Sequence, residues 1–537
     1  MLMKRFIRST AGNFTSMTAI MLPVMLGSVG LAVDYGTMSS AHSKLQTAVD
    51  AAVLAASRIN DKTLDREEVF KDYLAGNLAG KRGLTDVESS LDIDMGLNYI
   101  STTGRASANV DLFFSAFLGS ASRVTVTASA YESRNDLEVV LALDNTGSMG
   151  SSRMAELRKA ATSLIDILST VHMPDSDPKR EVRAALVPFV TAVNVKGVGF
   201  KDSWIDGHWD EVAKKYRTPL NQYHGANFEK VSGKVVNHFD LFAMLRDNSN
   251  NPITWKGCVE ARPAPYNLSD DAPDPNIGDT LFVPYFAPDN PGAKGQSPNS
   301  GTDWNNSYIQ DSLTADNASN KKSLRTSTRY NNVSASNRYI DPDSRHAPRT
   351  TGPNYACPTP IMPLTSDFTT LKAEIAKMIH WEGSGTNVSE GLAWSYRVLS
   401  PGEPYTQGAP FNSDKTSKFV VVFTDGENTV FGASSKKFNT SDYGSYGFLD
   451  QGRFGTTNRG TGLTTVNTMT QTMCTNLKAK HVEVFTVLLG ADTAANRTLY
   501  SKCATTPDHY YPTSNVNDLD IVFKKIAYRI AKLYVTN

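Results

Sequence analysis

The stretch LEVVLALDNTGSMG (residues 137–150) joins a continuous apolar run to Asp144, two hydroxyl residues and the start of a helical pattern. Short continuous apolar runs are typical of strands buried on both faces, as in a parallel sheet covered by helices. Three more runs of this kind follow along the chain: RAALVPFV (183–190), KFVVVF (418–423) and VEVFTVLL (482–489). The sequence therefore predicts an α/β domain, residues 136–537, built on a doubly wound and mostly parallel sheet.

Amphipathic helices are expected between and after these strands. Apolar residues recur at helical spacing in Met154–Ser169, Asp367–His380 and about 517–534. Residues 195 to about 360 do not follow this alternation, since they are rich in Asn, Asp, Ser, Pro and Gly and hold four of the six tryptophans. A structureless loop of this length is implausible inside a compact domain, so we expect an inserted subdomain with long loops.

The N-terminus carries a candidate membrane anchor. Residues 14–33 are predominantly apolar, and a helix needs about 20 such residues to cross a bilayer. Lys4, Arg5 and Arg8 precede this run, which places residues 1–13 in the cytoplasm and the bulk of the chain outside by the positive-inside rule. A cleaved signal peptide is the alternative, but its apolar core is usually only about 7–15 residues long. A retained single-pass anchor is therefore favoured.

A small module is expected between the anchor and the α/β domain, within residues 34–132. An Ala-rich helical pattern continues past the apolar run, with Leu45, Val49, Ala52, Ala56 and Ile59 on one face. Alternating apolar and polar residues then indicate strands from about 90 to 132. We interpret 61–132 as a small α+β module near the membrane.

Composition and cysteines narrow the class of protein. At 537 residues two or three domains are expected, and 54 basic residues balance 54 acidic ones, so no basic excess points to nucleic acid. The four cysteines all lie in the predicted extracytoplasmic part, where disulfides form readily. Three pairings are possible; we expect the two that join neighbours in sequence, Cys258–Cys357 and Cys474–Cys503.

Oxygen-bearing side chains follow two of the predicted strands. Asp144, Thr146 and Ser148 follow the first strand, Asp425 follows the strand 418–423, and Thr386 lies in a Gly-rich loop that leads into a helix. Ligand sites in such sheets form at the carboxyl ends of strands. Carboxylate and hydroxyl oxygens suit hard cations, so Mg²⁺, or else Mn²⁺ or Ca²⁺, is the expected ion.

This pattern resembles the metal-ion-dependent adhesion site of the von Willebrand A family, whose order of elements residues 136–194 and 361–537 match. The resemblance assigns ligand roles to one Asp-x-Thr-x-Ser motif, one loop threonine and one strand-end aspartate, namely Asp144, Thr146, Ser148, Thr386 and Asp425. It also implies that a partner protein supplies an Asp or Glu carboxylate to the open position of the metal.

The N-terminal segment 8–57 resembles the TadE/TadG-like proteins of bacterial Tad (Flp) pilus assembly. The LPV in the apolar run, the following AVDYG and the LQTAVDAAVLAA helix carry this resemblance. A processed pseudopilin would have Glu at the position of Met17, five residues after Gly12, which favours a retained anchor. The resemblance implies a single-pass inner-membrane protein, periplasmic or surface-exposed, that binds pilus-assembly or other envelope components.

Other functions are weighed on the same residues. A free-standing surface adhesin competes with the pilus-assembly component, and a structural scaffold of the cell envelope with a vestigial metal site is a further alternative. A haloacid-dehalogenase-like phosphatase could use Asp144 as nucleophile, but Thr146 stands where that chemistry needs a second Asp. Phosphate-loop, zinc-protease and serine-hydrolase motifs do not occur, so we expect no enzyme. His208, His224 and His238 show no metal-ligand spacing and are expected to be surface or loop residues.

Overall fold

The chain divides into two units in a computed structural model. The first comprises Met1–Arg134 and Lys532–Asn537, and the second comprises Asn135–Ala531. The structure describes residues 10–57, 65–81, 83–95, 99–112, 122–133, 135–174, 180–230, 232–290, 306–309, 311, 325–331, 351–383, 385–430, 441–531 and 534–536. Residues 1–9 of the predicted cytoplasmic tail, and Ile59 and Trp304, therefore lie outside the described residues.

A single helix of 48 residues, α1 (Thr10–Ser57), opens the first unit and continues from the apolar run into the Ala-rich segment. Its part from Met17 onward is long and apolar enough to cross a membrane, by length and composition. The large apolar side chains between Met17 and Val33 are exposed, whereas Leu45, Val49, Ala52 and Ala56 are buried. The helical face predicted from the sequence is therefore present.

Helix α1 packs in the first unit against α2 and an antiparallel sheet. The elements are α2 (Arg66–Leu78), β1 (Leu84–Met95), β2 (Tyr99–Val110), β3 (Arg123–Ser133) and a C-terminal strand, Tyr534–Thr536, in the order β1-β2-β3-C-terminal strand. Gly104 of β2 allows a close approach, because a Cβ atom there would lie 2.4 Å from Val53 Cγ2 and 2.6 Å from Phe70 Cε2.

A six-stranded mixed sheet forms the centre of the second unit. Its strands are β4 (Asp136–Asp144), β5 (Val182–Phe189), β6 (Met362–Thr365), β7 (Thr416–Thr424), β8 (Val482–Leu489) and β9 (Tyr510–Thr513). The order is β6-β5-β4-β7-β8-β9, in which β6 is antiparallel to β5 and the other neighbours are parallel. Four of these strands agree within two residues with the four predicted from continuous apolar runs, which are continuous because both faces are buried.

Helices cover both faces of this sheet. They are α3 (Gly150–Thr170), α5 (Phe368–Lys377) and α9 (Leu519–Ala531) on one face, and α6 (Val388–Leu399), α7 (Arg459–Ala479) and α8 (Ala494–Cys503) on the other. Successive residues of β4 point to opposite faces, so Leu141 packs with the first set and Val140 with the second. Helix α9 ends three residues before its predicted end. The residues Tyr534–Thr536 form a strand of the first unit instead, and aromatic and β-branched side chains of this kind favour strands.

The predicted insert does not separate into a unit of its own. Its described part contains one helix of seven residues, α4 (His238–Met244), a single α-helical turn, Thr328–Asn331, three short 3-10 turns and strands of only two residues. Buried aromatic residues of the insert, Trp204 and Phe282 among them, belong to the same apolar cluster as Trp394 of α6. Burying these large side chains against α6 makes the insert part of the sheet's own core.

Both expected disulfides are present. Cys258–Cys357 spans 99 positions of the insert, and Cys474–Cys503 joins α7 to α8.

Candidate metal centre

Two aspartates meet at the carboxyl ends of the central strands. Asp144 is the last residue of β4 and Asp425 directly follows β7, and these strands are parallel neighbours in which Leu143 is paired with Phe423. Both aspartate side chains are buried. The parallel register therefore brings together two carboxylates that are 281 positions apart in the sequence.

Both oxygens of the Asp144 carboxylate accept hydrogen bonds from hydroxyl groups. The Thr146 amide and hydroxyl donate to Oδ1 of Asp144, at 2.9 Å and 2.6 Å, and the Thr424 hydroxyl donates to Oδ2 at 2.7 Å. Thr146 belongs to the turn after β4 and Thr424 ends β7. The two strands that form the site therefore also fix the rotamer of its most buried carboxylate.

The same chain of hydroxyls continues to Asp425. The Ser148 hydroxyl lies 3.2 Å from the Thr146 hydroxyl and donates to Oδ1 of Asp425 at 2.7 Å. The Arg153 guanidinium, on the first turns of α3, donates to Oδ2 of Asp425 at 2.8 Å. The hydrogen-bonded cluster therefore contains four of the five residues predicted from the sequence.

Thr386, the fifth predicted residue, is positioned through its backbone. It is buried, and its carbonyl accepts a hydrogen bond from the Thr429 amide at 2.8 Å, in the segment after Asp425. The next residue, Asn387, caps α6 and donates its amide to the Val190 carbonyl just after β5, at 3.0 Å. The Thr386 loop is thus tied to the ends of two strands of the sheet.

Burial and the negative charge of Asp425 both disfavour the ionised form of Asp144. Burial, and next the charge of Asp425, raise the pKa of Asp144 to about 7, against the opposing hydrogen bonds from Thr146 and Thr424. Two buried carboxylates with hydroxyl oxygens beside them fit a hard divalent cation. Its positive charge would offset both the cost of burying the carboxylates and the repulsion between them. Among the described residues no group of three or more His, Cys, Asp or Glu could hold a metal ion. A cation here would take its other ligands from hydroxyl groups and water.

Two members of the cluster, Thr424 and Arg153, were not predicted from the sequence. Thr424 directly precedes Asp425, so a search for hydroxyls beside the strand-end aspartate could have found it. The insert histidines were predicted as surface or loop residues: His224 does lie in a turn, although it is buried, whereas the prediction is wrong for His238, which is buried at the start of α4. His224 is hydrogen-bonded to Asp206, and burial lowers the pKa of His238 well below its usual value, which gives both rings a structural role.

Comparisons with solved structures find low similarity over long alignments. The pilus adhesin SpaC from Lactobacillus rhamnosus GG is 9% identical with a TM-score of 0.30, over 83% of this chain and 35% of that one. The von Willebrand domain of the type V pili tip protein Mfa5 from Porphyromonas gingivalis is 9% identical with a TM-score of 0.30, over 73% and 94%. Proximal thread matrix protein 1 from the mussel byssus, with a zinc-occupied adhesion motif, is 11% identical with a TM-score of 0.28, over 74% and 48%.

These TM-scores are too low to establish a shared fold, and this chain spans about a third of the length of SpaC. No curated protein matches the chain. The N-terminal segment, in contrast, matches a family model described as putative Flp pilus-assembly TadE/G-like, over residues 12–58. This match covers α1 from Gly12 to its end and confirms the resemblance found in the sequence. The N-terminal segment, residues 12–58, is thus similar to the putative Flp pilus-assembly TadE/G-like family.

Proposed function

We propose that this protein is anchored in the bacterial inner membrane by α1 and binds a partner protein outside the cytoplasm through a divalent cation. The process served would be Tad/Flp-type pilus assembly, surface attachment or secretion, and the protein would not be an enzyme. The observation that carries the proposal is the buried pair Asp144 and Asp425, linked by the hydroxyls of Thr146 and Ser148 at the end of two parallel strands.

The anchor is supported by the surface of α1. Ile20 and Val24 are 73% and 68% exposed, in a segment with no charged residue between Ser9 and Val33. An exposed apolar segment of this length is costly in water, and a bilayer removes that cost. The cationic residues Lys4, Arg5 and Arg8 on its N-terminal side support a cytoplasmic N-terminus.

The assignment of the second unit to the von Willebrand A type rests on its topology and its site. Five strands run parallel, one edge strand is antiparallel, and helices cover both faces. The site lies at the carboxyl ends of β4 and β7, with the Asp-x-Thr-x-Ser motif in the turn that leads into α3. The residues present thus match, in kind and in order, those that the resemblance requires.

The proposed ligands have separate roles at the metal. Asp144 and Asp425 supply the negative charge, while Thr146, Ser148 and Thr386 supply neutral oxygens. A bound Mg²⁺, Mn²⁺ or Ca²⁺ would offer an open position to an Asp or Glu carboxylate of the partner. The few protein charges around the ion would keep that position attractive to an anion.

The alternative is an envelope scaffold whose metal site is vestigial. One observation favours it: the Arg153 guanidinium already pairs with Asp425, so protein groups alone compensate part of the charge. A phosphatase using Asp144 is less favoured, because both oxygens of its carboxylate accept hydrogen bonds from threonines.

Thermal unfolding of the full chain in detergent micelles tests the proposal. Melting temperatures are compared in EDTA and in millimolar Mg²⁺ or Mn²⁺, for the wild type, for Asp144→Ala and for the control Asp414→Ala, which changes an exposed aspartate. An ion at about 100 times its Kd stabilises the folded state by about 2.7 kcal/mol. We expect this rise in the wild type and the control, and none in Asp144→Ala. If the ions shift no protein, or shift Asp144→Ala equally, metal binding at this site is refuted and the scaffold is favoured.

A further inference from the structure

A small cavity lies beside the Thr386 loop. Its volume is about 40 Å³, and its lining includes Asn387, Thr429 and Thr191. Asn387 follows Thr386 directly, and the Thr429 amide is hydrogen-bonded to the Thr386 carbonyl. Thr191 lies two residues past the end of β5. The cavity is therefore at the same edge of the sheet as the candidate metal centre.

The polar lining of the cavity includes two hydroxyl groups and one carboxyl group. The hydroxyls of Thr191 and Ser445, residues only 7% and 1% exposed, have no hydrogen-bond partner in the described part of the chain. Asp442 also lines the cavity, and burial alone raises the pKa of this carboxyl to about 7. Leaving a buried polar group without a hydrogen-bond partner destabilises the folded state. The two hydroxyls can donate or accept a hydrogen bond, whereas an ionised carboxylate can only accept one, so a cationic donor could satisfy all three groups.

Part of the remaining lining of the cavity is apolar. Val430, Leu449, Phe454 and Val466 form a cluster of their own on this side. A site for one water needs about 10–15 Å³, so about 40 Å³ accommodates a few heavy atoms. Apolar walls with an acidic end suit the methylene stem and ammonium head of a lysine, which buries its stem and keeps its charge paired.

We propose that this cavity binds a primary ammonium group, the lysine side chain of the partner protein. The partner would then present a lysine close to the carboxylate that reaches the metal. Only this pairing rests on the proposed function, because the amine site can be tested without any metal.

The first test uses n-butylammonium, which reproduces the lysine side chain, titrated calorimetrically into the full chain in micelles with EDTA. We expect saturable binding that Asp442→Asn weakens at least tenfold, as for loss of a charge-assisted hydrogen bond. The near-isosteric Thr191→Val keeps the charge and should weaken binding severalfold. Asp414→Asn, which removes an exposed charge, should bind as the wild type does, and tetramethylammonium at equal ionic strength should not bind.

Two results would overturn the amine site. Absence of saturable binding, or equal binding by Asp442→Asn and wild type when both melt cooperatively, means that water alone satisfies these groups. Two lysines of this chain, Lys436 and Lys437, precede Asp442 closely in the sequence. Binding that appears only after both are changed to Ala would identify the chain itself as the occupant and contradict an external amine.

The second test asks which amine is bound and whether it acts together with the metal. Fluorescent peptides Ac-Asp-(Gly)n-Lys-NH₂, their norleucine analogues, and peptides with a free N-terminal amine in place of lysine are compared by anisotropy in Mg²⁺. At the best spacing, norleucine should weaken binding at least tenfold in the wild type and not in Asp442→Asn. Preference for the N-terminal amine would overturn the choice of lysine. Butylammonium binding without any metal effect on melting would refute the proposed function and leave the amine site standing.

Discussion

Replacing Asp144 by Asn removes the buried charge of the candidate metal centre and keeps the size of the side chain. Burial and the Asp425 charge raise the pKa of Asp144 from 3.8 to about 7. A carboxyl whose pKa is raised on folding contributes stability below its unfolded pKa, and this contribution is lost as the pH rises through its folded pKa. Between about pH 4 and pH 7 the metal-free wild type therefore loses stability that Asp144→Asn retains.

The size of this effect follows from the two pKa values. The difference between 3.8 and about 7 corresponds to about 4 kcal/mol, at about 1.4 kcal/mol per pH unit. From pH 5 to pH 8 the wild type should lose about 3 kcal/mol of this relative to the variant. Asparagine has an amide NH₂ in place of one of the two carboxyl oxygens, so a hydrogen bond from Thr146 or Thr424 is lost, at about 0.5–1.5 kcal/mol for a bond to a neutral group. The variant should therefore be less stable than the wild type at pH 4 and more stable at pH 8.

Melting temperatures of the full chain in micelles, measured in EDTA from pH 4 to pH 8, test this reasoning. We expect the curves of wild type and Asp144→Asn to cross, with a change of several degrees in their difference. Mg²⁺ at pH 8 should reverse the order, because only the wild type offers the ion its carboxylate. Asp414→Asn, at an exposed position, should run parallel to the wild type. A difference between Asp144→Asn and wild type that does not change with pH would refute the buried-charge argument.

Two further substitutions test the surroundings of the site. Arg153→Gln removes a cation that is 2.8 Å from an Asp425 oxygen, so it should tighten Mn²⁺ binding severalfold in a calorimetric titration. The control Lys159→Gln, which removes an exposed charge on the same helix, should leave Mn²⁺ binding unchanged. Gly391→Ala places a Cβ 2.6 Å from the Phe189 ring between α6 and β5, and should lower the free energy of unfolding by about 1–3 kcal/mol in denaturant melts. Unchanged stability would mean that α6 can move away from the sheet without cost.

The central sheet could be predicted because strands that are buried on both faces have a recognisable sequence pattern. The four central strands are nearly uninterrupted apolar runs, so both their type and their bounds were predictable. The meeting of Asp144 and Asp425 followed from the rule that parallel strands end at one edge of a sheet. Local pattern and topology agree at these positions, which is why sequence reasoning succeeded there.

Helix α7 had no comparable sequence pattern from which it could be predicted. Its residues Arg459–Ala479 are rich in threonine, which has weak helix propensity because its branched side chain restricts the rotamer. In the folded chain six of these threonines donate their hydroxyls to the carbonyl four residues earlier. The helix is stabilised by burial of Met473 and Leu477 against the sheet, and of Val466 against Val430 and Leu449. That contact comes from tertiary structure, so local propensity could not reveal it.

The segment 195–360 was predicted as an inserted subdomain because its composition differs from that of the rest of the chain. In the structure its contacts join it to α6. Arg397 of α6 donates hydrogen bonds to the Tyr266, Asn267 and Ser269 carbonyls of the insert, and Arg262 of the insert donates to the Tyr266 and Ser269 carbonyls as well. Leaving such buried carbonyls without donors would be costly, so the insert and α6 must fold together. Because α6 begins directly after the Thr386 loop, the insert holds the far end of the helix that positions this proposed ligand. A long, loop-rich segment of this kind therefore stabilises the helix that follows the Thr386 loop.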